Sequence, residues 1–368
     1  MIKVLVVASL LGRNGTSRFI IYFANYFANQ PGFHVSLLFF RTVESEYRSK
    51  LDKNVEVNCL GIKGKLWKHI FKIIKEIIRI KPNYCVIGFH QFIYLSYFKE
   101  ILKYNGIKLL LRDTIITSLF HKNIGRIHCM LLKCAYKKYD ALIAQSIDMQ
   151  TDLVKKWGVK KSKIYLINNP IDISLMNNAQ YECPAELKRK EVFTFVAAGR
   201  LTYQKGYDII IKRLSEIKDS IPFKLIILGS GGLEADIKQL IISNHLGNVI
   251  SLIGYRTNVS AYLYFSDALM LCSRYEGFPN IVLEAQSLGK PVFANNCPGG
   301  INEIVKNGQN GWSCDFDDKE SFQRGLSEFM RCQFSSDKIQ KMTKERYDIS
   351  VIMNEYEKVF KVRDSHAL

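Results

Sequence analysis

Short apolar runs alternating with helical stretches along the whole chain predict an α/β fold built on mostly parallel sheets. The alternation is broken once, by a polar, proline-bearing stretch following Asn168-Asn169-Pro170-Ile171-Asp172, and this divides the chain into two halves. A length of 368 residues suits two domains of ordinary size, and a hydrophobic content of 48% is enough for two cores. The expected division is a first domain over residues 1–170, a linker over 171–190, a second domain over 191–345 and a closing helical segment over 346–368.

In the first half, strand-like runs fall at 3–8, 34–40, 84–88, 108–111, 141–144 and 163–166. The first leads into Gly12-Arg13-Asn14-Gly15, so residues 2–11 are expected to be a strand entering a glycine loop rather than a signal peptide. Gly15 can admit an anionic ligand to the terminus of the helix that follows. The second half begins at Phe193 and continues through runs at 224–228, 249–252, 268–272 and 291–294. No run approaches about eighteen apolar residues, so no segment is expected to span a membrane. Nine cysteines, odd in number and without a C-x-x-C pair, point to a reducing, cytoplasmic compartment and away from structural zinc.

Two motifs in the second half carry the chemistry. GRLTYQKG, from Gly199 to Gly206, follows an apolar run and precedes a helix, which places Arg200 and Lys205 at a strand's carboxyl end, where open α/β sheets bind ligands. Arginine offers a planar fork and lysine a mobile point charge, so the pair can hold a diphosphate and stabilise charge on it as it leaves. In RYEGFPNIVLEA, from Arg274 to Ala285, Gly277 lets backbone approach a ligand, and Phe278 and Pro279 introduce a helix whose first amides suit an anion. Glu276 and Glu284 are separated by seven residues, and Glu284 shares a helix face with Asn280. One carboxylate can therefore reach a sugar ring while the other reaches a ribose, the requirements of a nucleotide-diphosphate-sugar site.

Over Phe193 to Asp318 these motifs, with the closing Pro298-Gly299-Gly300 and Glu303-Ile304, resemble the retaining glycosyltransferases of family 4, also called glycosyl transferases group 1. The resemblance implies the GT-B architecture, two Rossmann-like domains with a cleft between them, and a crossing of the last helix back to the first domain. It implies that Arg200 and Lys205 bind the diphosphate, Glu276 the transferred sugar and Glu284 the ribose. Asn280 and Ile281 would offer amides beside the diphosphate, and Tyr255, within Gly254-Tyr255-Arg256, would flank the base. RYEGFPN followed by CPGG is most similar to members that build bacterial capsule, O-antigen or related surface glycans from UDP-sugars. Retaining transfer of a hexosyl or N-acetylhexosaminyl group, without a metal or other cofactor, is what the family implies. Relatives often carry a histidine beyond the strand at 108–111, where this chain has Arg112-Asp113; Asp113 and His90 are the acceptor-side candidates, with His121 as a further alternative.

The net charge of +18 lies wholly in the first half: residues 1–170 hold 28 Lys and Arg against 10 Asp and Glu, and residues 171–368 hold 24 against 24. It is densest over 61–81, where Lys68, Lys72, Lys75 and Arg79 fall on one helical face and Trp67, Ile70, Phe71, Ile74, Ile77 and Ile78 cover much of the rest. A basic amphipathic helix of this kind suits an anionic membrane surface, at roughly 1 kcal/mol per basic residue near anionic lipid. The expected partners are therefore a nucleotide-sugar donor, a lipid-linked glycan acceptor and the inner face of the cytoplasmic membrane. Nucleic acid is not expected, because no recognition motif accompanies the charge.

Two patterns imitate other sites. Asp315-Phe316-Asp317 has the form of a metal-binding D-x-D but precedes an expected helix at 319–330, so capping is its expected role. Gly229-Ser230-Gly231-Gly232 lacks the spacing of a dinucleotide loop and suits a strand-to-helix turn. A sugar-nucleotide epimerase or hydrolase of the same architecture is the alternative function; it would convert donor without any glycan acceptor.

Overall fold

The computed structural model describes residues 1–12, 15–88, 95–121, 124–177, 180–188, 192–217 and 223–364. The chain forms two compact units, one of Met1–Pro170 with Ile349–Leu368 and one of Ile171–Asp348.

The first unit is a seven-stranded sheet of β1 (Ile2–Ala8), β2 (Phe33–Phe39), β3 (Glu56–Cys59), β4 (Tyr84–Ile87), β5 (Lys108–Arg112), β6 (Ala141–Ala144) and β7 (Ile164–Leu166). Its order is β3-β2-β1-β4-β5-β6-β7, with every paired strand parallel. Because both faces of such a sheet are covered, β1 is apolar without interruption from Val4 to Ala8: Leu5 and Val7 enter one core, and Val4, Val6 and Ala8 the other. β3, with the sequence EVNC, was not expected; as an edge strand it carries no apolar run to mark it.

One face of this sheet is closed by the helices Gly15–Ala28 and Ile349–Asp364. Phe23 lies 5.4 Å from Tyr356 and Phe27 5.7 Å from Phe360, ring centre to ring centre, at edge-on angles that aromatic pairs favour. The Tyr84 hydroxyl donates to the Phe360 carbonyl at 2.7 Å. The closing helix starts at Ile349 rather than 346, because the preceding helix Ser336–Tyr347 and Asp348 belong to the second unit.

The second unit has six strands: β8 (Phe193–Ala198), β9 (Phe223–Leu228), β10 (Ile250–Gly254), β11 (Ala268–Leu271), β12 (Val292–Asn295) and β13 (Gly311–Cys314). Their order is β10-β9-β8-β11-β12-β13, again parallel throughout. β13, a four-residue edge strand, is the second strand that periodicity did not mark. The expected linker at 171–190 is part of this unit instead. Ile171, Ile173, Met176 and Leu187 of this segment are buried in the core with Val196 and Tyr262, and the Ile171 amide donates to the Tyr347 carbonyl at 2.9 Å.

Capping of the helix Lys319–Arg331 falls to Asp318, which accepts from the Ser321 amide at 2.7 Å, while Asp315 accepts from the Asp317 amide. The D-F-D pattern thus shapes the turn ahead of the helix, and the residue beyond it makes the cap.

Candidate active site

In the second unit the chain leaves β8 for β9 on one side, and β11 pairs with β8 on the other, so the sheet's direction of winding reverses between β8 and β11. A crevice outside the carboxyl ends of such a strand pair is where doubly wound sheets hold ligands. GRLTYQKG leaves β8 and RYEGFPN leaves β11, and the two loops meet there.

Their meeting point is an ion pair. Lys205 Nζ lies 2.6 Å from Glu276 Oε1, with both side chains largely withdrawn from water. The Ser273 hydroxyl donates to the same oxygen at 2.6 Å, so both described bonds to this carboxylate fall on Oε1. A pair held this deep needs its remaining hydrogen bonds to offset desolvation, and Ser273 supplies one. Beneath it the Cys272 thiol donates to the Lys205 carbonyl at 3.2 Å; burial pushes its pKa up to about 12, which keeps it protonated and unsuited to act as a nucleophile.

Two glycines permit the close approach of these loops. Gly206 has φ +63°, and a Cβ there would come within 2.0 Å of the Cys272 carbonyl oxygen. Gly299 has φ +125°, and a Cβ there would come within 2.3 Å of the Glu276 carbonyl oxygen. The Pro298-Gly299-Gly300 turn is thereby laced to the glutamate loop, with the Glu276 amide donating to Pro298 at 2.9 Å and the Gly300 amide to Gly277 at 3.0 Å.

Arg274 ties the same loops from the other side, and the sequence reading gave it no role. Its guanidinium forms a fork on Asp208, with bonds of 2.8 and 2.5 Å, stacks 4.0 Å over the Tyr203 ring, and donates to the Tyr203 carbonyl. Hydrogen bonds from Arg274 hold the Asp208 carboxyl below its ordinary range. Gln204 adds a bond to the Tyr275 carbonyl at 3.0 Å. Within the motif, the signal was an arginine two residues before the glutamate; its partner lies 66 positions away.

Arg200 is exposed beside this lattice, while Glu284 is buried in the helix Asn280–Ser287. That helix begins after Pro279, which offers no side-chain acceptor to the first-turn amides, among them those of Asn280 and Ile281. Glu276 stands four residues ahead of the helix and Glu284 on its fifth residue. Phe278 is buried against Tyr347, its ring centre 5.6 Å away, and fixes the entry to the helix behind Gly277.

Tyr255 is exposed just past β10, two strands from β8, and Arg256 is tied to Glu186 and Tyr262. The Gly229-to-Gly232 turn backs onto the Arg200 loop, with the Leu201 amide donating to the Ser230 carbonyl at 2.9 Å. A polar groove of about 370 Å³, lined by Tyr203, Arg274, Asn296, Cys297, Pro298 and Asp315, opens beside the ion pair. Among the described residues no three His, Cys, Asp or Glu side chains gather as a metal-ligand set.

The first-unit candidates fare differently. Gly15 is the exposed first residue of its helix. His90 lies outside the described residues. Asp113, expected on the acceptor side, is only 1% exposed. It accepts from the Thr114 amide at 2.9 Å, the Thr117 hydroxyl at 3.1 Å and the Tyr136 hydroxyl at 2.6 Å. It is an internal acceptor that pins the chain after β5. The neighbouring Arg112 is also interior, 3.6 Å over the Phe19 ring and donating to Tyr356 and Asn169.

Residues 182–346 match the family model of glycosyl transferases group 1. An uncharacterised glycosyltransferase of Methanocaldococcus jannaschii is 31% identical over 254 residues, 66% of this chain and 62% of that protein. The N-acetylgalactosamine-N,N'-diacetylbacillosaminyl-diphospho-undecaprenol 4-alpha-N-acetylgalactosaminyltransferase of Campylobacter jejuni is 24% identical over 59% of this chain and 56% of its own length. The matched stretches thus span little more than half of these curated relatives. In fold, the chain is similar to Anabaena HepE, solved with UDP and glucose, at a TM-score of 0.78 and 17% identity, covering 98% of this chain and all of the other. Two parallel-sheet, Rossmann-like units of this kind are the GT-B architecture.

Proposed function

From the match of residues 182–346 to glycosyl transferases group 1, we propose that this protein is a retaining glycosyltransferase. It moves a hexosyl or N-acetylhexosaminyl group from a UDP-sugar to a lipid-linked glycan in the building of a bacterial surface polysaccharide. The observation that carries this reading is the Lys205–Glu276 pair, which joins the loops after β8 and β11 at the switch point of the second sheet. The named activity of the Campylobacter relative, on a diphospho-undecaprenol acceptor, supports a lipid-linked glycan as the class of acceptor.

In this reading the donor's diphosphate lies between Arg200, Lys205 and the first amides of the helix Asn280–Ser287, where positive charge and helix-end donors coincide. Glu284 accepts from the ribose and Glu276 from the sugar, while Tyr255 flanks the base. The bond from the sugar's anomeric carbon to the phosphate oxygen breaks as the acceptor oxygen attacks the same face. The acceptor's proton passes to the departing phosphate oxygen, so the chemistry does not require a protein base. Arg200 and Lys205 stabilise the leaving diphosphate, and the two loops orient the donor so that the acceptor reaches the face the diphosphate leaves. Those cations take the part a metal would otherwise play, so activity is expected to survive EDTA. The enzyme acts at the inner face of the cytoplasmic membrane, with the first unit carrying the acceptor side.

The test is a screen of UDP-sugars and other nucleotide sugars against lipid-linked acceptors, with the product linkage read by NMR. Transfer with the donor's anomeric configuration preserved is the expected result. Inverted product would contradict the retaining assignment, and turnover of donor without any acceptor would favour the epimerase or hydrolase.

A further inference from the structure

The first unit exposes apolar side chains that helices of this length ordinarily turn inward. In the 3-10 turn Leu66–His69 and the helix Ile70–Ile80, Ile73, Ile74 and Ile77 are buried, yet Trp67 and Phe71, one turn apart, are 69% and 74% exposed. The helix Arg126–Lys138 has two apolar stripes. Leu132, Ala135 and Tyr136 face the core, while Ile127, Met130, Leu131 and Cys134, at spacings of three, one and three, are exposed, Ile127 at 75%. A third stripe runs through Tyr97, Ile101 and Tyr104, at spacings of four and three, and all three are exposed.

These stripes form one surface. The Phe71 ring meets Phe98 at 5.9 Å, and the neighbouring Tyr97 hydroxyl donates to the Leu131 carbonyl at 2.8 Å, joining the three helical segments. The Lys138 ammonium sits 5.0 Å over the Tyr97 ring. Lysines stand among the apolar groups throughout: Lys68, Lys72, Lys103, Lys133 and Lys137 are exposed. Of the acids nearby, Glu76 is engaged by Arg79 and Asp140 by Lys99, while Glu100 is exposed.

We propose that this surface docks the protein on an anionic lipid bilayer by inserting Trp67, Phe71, Ile127 and Met130 among the headgroups, with the lysines around them held by lipid phosphates. The membrane partner already belongs to the proposed function; the apolar face adds an inserted component to what charge alone would give. An exposed apolar patch of this extent marks an interaction site, and aromatic and aliphatic tips rimmed by lysine match the bilayer interface, where ring and ammonium both find their preferred depth. Charge decides the occupant. In a symmetric pairing of two copies the patch would meet itself, setting Lys68, Lys72, Lys103, Lys133, Lys137 and Lys138 against the same lysines with the exposed Glu100 as a lone answer among the described residues of these helices, whereas an anionic bilayer answers every one.

The experiment is co-sedimentation of the full chain with phosphatidylglycerol vesicles over a range of salt. Binding at low salt should fall as salt rises but leave a resistant fraction, because screening weakens the lysines and not the inserted groups. Trp67→Ser with Phe71→Ser, or Ile127→Ser with Met130→Ser, should cut that fraction by about tenfold. Their unfolding midpoints and their transfer to a soluble acceptor should match wild type. Lys68→Glu with Lys72→Glu should cut the low-salt binding instead. Trp67 fluorescence should be quenched by brominated lipid. Failure of wild type to bind anionic vesicles, or serine variants that bind like wild type at high salt, would overturn the proposal. So would a dimer in sedimentation that the serine variants abolish, since the occupant would then be a second copy. Vesicle binding without transfer would instead fault the catalytic reading and leave the docking face intact.

Discussion

Each unit sets a carboxylate just beyond the carboxyl end of a strand, Asp113 after β5 and Glu276 after β11, and the two are equipped for opposite purposes. Asp113 is 1% exposed and answers an amide and two hydroxyls of its own unit. Glu276, 7% exposed, has an ammonium and one hydroxyl on a single oxygen, at a crevice bordered by helix-end amides. A carboxylate saturated by neutral donors of the fold holds the chain in place. One paired with a lysine from another loop can exchange that partner when a ligand brings its own charge.

Substitutions can break or sharpen this contrast. Lys205→Ala should lower turnover by about a hundredfold to a thousandfold, measured with saturating donor, because in the proposed reaction it removes a charge aimed at the leaving group. It should also cost about 3–5 kcal/mol in denaturant unfolding, since Glu276 is left buried without its cation. Asp113→Ala should lose about 1–3 kcal/mol of stability as its donors go unpaired but, unlike Lys205→Ala, keep a near-normal rate once folded. A thousandfold rate loss in a stably folded Asp113→Ala enzyme would return Asp113 to the acceptor side of the chemistry.

Smaller effects follow from the surrounding lattice. Glu284→Ala should raise the donor's apparent binding constant by about tenfold with little change in turnover, the pattern of a group that binds ground and transition state alike. Asp208 has a folded pKa below its unfolded value, so its pair with Arg274 stabilises above the ordinary carboxylate range, near pH 4, and that stability is lost as pH falls through the lower folded value. Thermal unfolding of Asp208→Asn should therefore differ from wild type at neutral pH and converge with it in acid.

How much of this was legible in sequence depends on the reach of each contact. Arg200, Lys205, Glu276 and Glu284 could be placed because each stands a few residues from a strand end or helix start that the local pattern marks. Arg274 could not be paired with Asp208, nor Ser273 with Glu276 Oε1, because a side-chain bond leaves no periodic trace. β3 and β13 escaped as short edge strands. The segment at 171–190 looked like a linker because its buried Ile171, Ile173, Met176 and Leu187 are scattered among polar residues. Periodicity also cannot say which of two apolar stripes a helix buries, so the exposed face of Arg126–Lys138 emerges only from the packing of the first unit.

The central claim, that the β8 and β11 loops hold a nucleoside diphosphate, is tested most directly by calorimetric titration of UDP into the whole protein and into Lys205→Ala. Binding by wild type that weakens by at least about tenfold in the variant is the predicted result. UDP that bound both proteins equally, or neither, would contradict it.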